Sequence, residues 1–131
     1  MQEKHKTLVI PCSGIGKVHG LVSREVAYDL AQRREGQGYD TLCLALLVTG
    51  DEAALDKVGS APCVTVDGCP KLCALKSVEQ AGGTVARSVK VVDAMKNHRG
   101  LNAGTATALT DDGWALVREI ADDIEKGGPR Q

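Results

Sequence analysis

The sequence predicts a three-layer α/β fold, with a mainly parallel sheet of about four strands and helices on both faces. Three observations carry that expectation. Short β-branched apolar runs alternate along the chain with stretches whose apolar residues recur at helical spacing. The connections between them are short, as right-handed βαβ units require. A chain of 131 residues is long enough to bury one core and too short for two, so residues 1–131 read as a single domain.

Thr7 to Ile10 is the first strand, running into Pro11-Cys12 and a glycine-rich loop from Ser13 to Gly20. From Leu21 the period changes. Val22, Val26 and Leu30, with Ala27 and Ala31 beside them, form an apolar stripe, while Arg24, Glu25, Gln32 and Arg33 face out. Gly36 and Gly38 end that helix. Thr41 to Val48 is a nearly unbroken apolar run and reads as a central strand covered on both faces, with Cys43 buried in it as a small hydrophobe. Gly50-Asp51 punctuates the chain, and Glu52 to Val58 reads as a short helix.

Cys63 to Val66 is the third strand, delivering the chain into the turn Asp67-Gly68. Pro70 to Ala81 reads as a helix with Cys69 as N-cap and Cys73 on the same side of its first turn, closed by Gly82-Gly83. Val85 to Val92 is the fourth strand. Asp93 to Thr110 is expected to be irregular, with Met95 in the core and Lys96 to Arg99 as a solvated turn. Thr110 or Asp111 then caps a helix with Trp114, Val117, Ile120, Ala121 and Ile124 on one stripe, stopped by Gly127-Gly128. This order is Rossmann-like.

Composition excludes several functions. There are 16 basic and 17 acidic residues, interspersed, which leaves no clustered basic face for nucleic acid or an anionic membrane. With no Phe, one Trp and two Tyr, base-stacking platforms are absent. The run Leu42 to Val48 is too short to span a bilayer, and the charged start M-Q-E-K-H-K-T does not supply the apolar region of a signal peptide. The expected location is cytoplasmic. Five cysteines, clustered and odd in number, fit metal ligation or thiol chemistry in a reducing compartment better than structural disulfides.

Three of those cysteines stand in P-C-V-T-V-D-G-C-P-K-L-C, from Pro62 to Cys73; Cys12 stands in P-C-S-G-I-G-K-V-H-G. In doubly wound sheets, sites form beyond the carboxyl ends of the strands. Cys12, Cys63 and Cys69 are all expected on that edge, with Cys73 beside them. Four thiolates suit tetrahedral zinc, and thiolates also suit Cu(I) or an iron–sulfur cluster. The expected metal ligands are Cys12, Cys63, Cys69 and Cys73, with His19 and Asp67 nearby to complete or orient the site. Two other functions fit the same residues. In one, Cys12 is the nucleophile of a sulfur-transferring or disulfide-exchanging enzyme, resolved by Cys69 or Cys63. In the other, the loop Gly14 to Gly20 binds a small molecule or anion. A phosphate loop of the G-x-x-x-x-G-K-[ST] type is excluded by spacing, with Val18 where the hydroxyl should follow Lys17.

At P-C-S-G-I-G-K-V-H-G and V-D-G-C-P-K-L-C the sequence resembles the DGC-domain proteins, a family named after the tripeptide that is here Asp67-Gly68-Cys69. The resemblance covers the chain from about Leu8 to Ile124. It implies a zinc site on the cysteines that match the family's motifs, Cys12, Cys63, Cys69 and Cys73. Cys43 matches no motif. The resemblance implies no reaction.

Overall fold

The computed structural model describes residues 6–12, 14–36, 38–68 and 71–127. The expectations placed on Cys69, Pro70 and Gly128 therefore lie outside the described residues. Strand β1 is Thr7–Pro11, followed by helix α1, Val18–Gln32, and by β2, Tyr39–Thr41. Helices α2, Leu44–Thr49, and α3, Glu52–Ser60, lead to β3, Pro62–Asp67. Helix α4, Cys73–Gln80, then leads to β4, Thr84–Lys90, and α5, Val91–Met95, and α6, Asp111–Gly127, complete the order.

The four strands form one parallel sheet in the order β2-β1-β3-β4, as the α/β pattern requires. Alternation within the central strands divides the core. Val9, Val64 and Val66 pack on one face against Val22, Val26 and Leu30 of α1 and Leu116, Val117, Ile120 and Ile124 of α6. Leu8, Ile10 and Cys63 face the other way, against Leu44 and Leu47 of α2, Val58 of α3 and Val78 of α4. Arg33, just past α1, fastens α1 to α6: its guanidinium meets Asp29 at 3.0 Å, Asp122 at 2.8 Å and Glu125 at 3.0 Å.

The chain leaves β1 along one face to reach β2, then returns along the other to pair β3 with the opposite side of β1. Connections diverge there, which makes the ends of β1 and β3 the place where sheets of this kind build sites. Cys12 and Asp67-Gly68 are the residues at those two ends.

Three expectations are corrected. The run Thr41 to Val48 is not a central strand: β2 is an edge strand ending at Thr41, and the apolar run is α2. Leu44 and Leu47, one helical turn apart, are buried, while Leu46 and Val48 are exposed. Gly50, at φ +81°, ends α2, and Asp51 accepts the Ala54 N–H at 3.0 Å to start α3. Cys43 therefore precedes a helix and is exposed. Second, α4 begins at Cys73, later than expected, because Leu72 before it takes the left-handed conformation at φ +59°. Third, Trp114 does not join the core stripe of α6 and is 41% exposed; Gly113 and Leu116 take its place on the buried side. Elsewhere, Thr110 caps α6 by accepting the Gly113 N–H at 3.0 Å, and the expected excursion holds a single bridge between Gly104 and Leu109 after α5.

Candidate functional site

Cys12 is held to the end of β3 twice. Its N–H donates to the Val66 carbonyl at 2.9 Å, carrying the ladder one residue past β1. Its sulfur accepts the Gly68 N–H at 3.2 Å. An N–H aimed at sulfur complements negative charge there, whether the sulfur is free or bound to a metal. The Ser23 hydroxyl of α1 lies 3.4 Å from the same sulfur and donates its one proton to the Gly20 carbonyl at 2.7 Å. With that proton committed, the serine oxygen offers a lone pair to the Cys12 thiol. Gly20 lets the Cys12 loop pack on the start of α1, because a Cβ there would collide with the Gly14 carbonyl oxygen.

The tripeptide that begins with Asp67 divides its work. The Asp67 carboxylate, 1% exposed, accepts the Ala74 N–H at 2.7 Å and the Leu75 N–H at 3.2 Å, so it caps α4 across the intervening turn. Gly68 serves the Cys12 sulfur and packs against the backbone of His19, where a Cβ would meet the His19 carbonyl carbon at 3.0 Å. One peptide unit thereby ties together the Cys12 loop, the start of α1 and the start of α4. Cys73, the first residue of α4, is exposed next to the Ala74 N–H that Asp67 holds. Leu72, in its left-handed conformation, sits at the same corner. That geometry costs a non-glycine residue roughly 1 kcal/mol.

Cys63 does not reach this site, which corrects the expectation for it. It pairs with Leu8 at the opposite end of the sheet, so Cys12 lies about four residue rises, roughly 13 Å, further along. A zinc–sulfur bond is about 2.3 Å. The Cys63 thiol faces the carbonyls of Ala61 at 3.6 Å and Val58 at 4.0 Å, and burial pushes it up to about 11. Among the described residues no three His, Cys, Asp or Glu side chains stand together as a metal-holding group; Cys69 is not one of those residues. The thiols of Cys12 and Cys73 are of the type zinc prefers, and Cys69 follows Gly68 in the sequence.

Sequence reasoning misses Ser23, Arg24 and Cys43. Ser23 carries a signal, since it is a polar residue on the buried side of α1, next to Val22 and Val26. Cys43 carries none, because the apolar run around it masks the helix start. All but Ser23 line a cavity of about 510 Å³ that also reaches Cys12 and opens between the Cys12 loop, α1 and the start of α2.

Among the described residues no helix is long and apolar enough to cross a membrane. Neither the curated proteins nor the solved structures contain a match to this chain. The model of the DGC domain matches residues 8–112, from β1 through the cysteine corner and β4 to the first turn of α6. The chain belongs to the DGC-domain family.

Proposed function

We propose that this protein binds a thiophilic metal ion, zinc first of all, through Cys12, Cys69 and Cys73, in a role in cytoplasmic metal or thiol homeostasis. The observation that supports this most is the Gly68 N–H on the Cys12 sulfur, which fastens the first cysteine motif to the turn that runs on into the second. The Cys12 sulfur accepts the Gly68 N–H, and Cys73 directly precedes Ala74, whose N–H is held by Asp67. Cys63, buried among carbonyls at the far end of β3, is left out of the ligand set.

Bound at three thiolates, zinc would supply Lewis acidity at an open fourth position. The chain's own contribution is orientation. Asp67 fixes the start of α4 and hence Cys73, while the Gly68 N–H orients the Cys12 sulfur. Metal content of untagged protein purified without oxygen tests the proposal. One equivalent of zinc is expected, lost in Cys12→Ser and Cys69→Ser and kept in Cys63→Ser. Full zinc in Cys69→Ser, or loss of zinc in Cys63→Ser, overturns it.

A second reading is favoured by the cavity that reaches Cys12: a thiol enzyme in which Cys12 attacks a substrate held there. Alkylation kinetics separate the two. A metal-bound Cys12 reacts slowly until a chelator is added; a catalytic Cys12 reacts fastest of the cysteines with or without it.

A further inference from the structure

We propose that the cavity beside Cys12 is a thiol-exchange site for small anionic disulfides, with Cys43 as the attacking sulfur and Arg24 as the anion-binding group. Its volume of about 510 Å³ falls in the range of small-molecule sites. Arg24 is the one charged side chain among the described residues that line it, and no carboxylate opposes it there. One guanidinium nitrogen, Nη1, donates to the Gly14 carbonyl at 3.4 Å. A guanidinium has five N–H donors in a fork suited to carboxylate, so this contact positions the group without exhausting it. Ile15, 80% exposed, and Tyr28, 49% exposed, stand on the same wall and provide apolar surface for the body of a ligand.

Two sulfurs line this one cavity, and they differ. Cys43 is exposed and open to a disulfide entering from solvent, whereas Cys12 is buried, with its sulfur already engaged by Gly68. Cys43 is therefore the sulfur placed to react first. The Cys43 thiolate, its proton given to water, attacks one sulfur of the incoming disulfide. A new Cys43–sulfur bond forms, the disulfide's own S–S bond breaks, and its other half leaves as a thiolate. The disulfide is the oxidant, so no other is needed. The inference goes beyond the metal reading, because Cys43 is outside that ligand set.

The test uses the full chain after chelator treatment and two probes of opposite charge: bis(carboxynitrophenyl) disulfide, a dianion, and cystamine, a dication. Site-resolved mass spectrometry follows mixed-disulfide formation at Cys43, with the exposed Cys73 as the internal comparison. The expected result is a preference for the dianion about tenfold larger at Cys43 than at Cys73. Arg24→Gln removes that excess, Arg24→Lys restores part of it, and neither changes Cys73. Equal preferences at the two cysteines, or an excess that survives in Arg24→Gln, overturns the proposal. Metal content of Cys43→Ser keeps the two ideas apart: unchanged zinc with lost exchange is expected, and exchange at Cys43 in protein that binds no zinc would sink the metal reading alone.

Discussion

Cys12 and Cys63 lie on the same face of neighbouring strands, yet the two ends of the sheet use sulfur in opposite ways. At the carboxyl end, Cys12 accepts an N–H from Gly68. At the amino end, Cys63 faces carbonyl oxygens, one from Val58 in the last turn of α3 and one from Ala61 beyond it. Chain direction accounts for the difference. In a parallel sheet each strand is entered from a helix's carbonyl end, and each strand exit leads to a turn and a helix start, where N–H groups are unpaired. A thiol entering a strand is therefore buried as a donor, and a sulfur leaving one is met by donors. Spacing in the sequence groups Cys63 with Cys69 and Cys73; strand polarity separates Cys63 from Cys73.

The largest way to break the carboxyl end is to remove the Asp67 cap. Asp67→Ala strips the Ala74 and Leu75 N–H groups of a buried carboxylate, and a loss of about 3 to 4 kcal/mol in urea unfolding is expected. A loss below about 1 kcal/mol would mean that the carboxylate does not hold α4.

At the amino end the expected effect depends on pH. Cys63 is held as a neutral thiol, its folded value raised from 9.0 to about 11 by burial. The stabilisation is complete below the unfolded value and disappears as pH rises through the folded one, because above pH 9.0 the unfolded thiol ionises first. The stability difference between wild type and Cys63→Ala should thus shrink by about 2 to 3 kcal/mol between about pH 8 and about pH 11. A constant difference would show that Cys63 is not buried as a thiol. The smallest effect is Gly68→Ala, where the new Cβ must displace the His19 backbone by a few tenths of an ångström. About 1 kcal/mol of stability is lost, and Cys12 alkylation becomes faster. Unchanged alkylation would separate the Gly68 contact from the exposure of Cys12.

Much of the fold is legible in the sequence because its signals are redundant. β1, β3 and β4 are β-branched, and α6 shows both a helical stripe and the Thr110 cap. α2 is hidden because Leu42 to Val48 has no polar residue to reveal a period, and an apolar run half exposed in a helix looks like one wholly buried in a strand. The Cys12 corner is legible from the glycines that follow the first strand. Asp67 is legible only as a turn residue. Its capping of a helix that starts at Cys73 follows from the left-handed Leu72, which no local pattern announces.

The DGC-domain match ends at residue 112, and α6 starts at Asp111. Almost all of that helix therefore lies outside the matched span, although it covers the Val9, Val64 and Val66 side of the sheet together with α1. Burying Leu116, Val117, Ile120 and Ile124 at about 2 kcal/mol each is comparable with the whole net stability of a small domain. A fragment trimmed to the recognisable homology would bare that wall to water and collapse or clump, so similarity here marks a stretch of shared ancestry and not a unit that can stand alone.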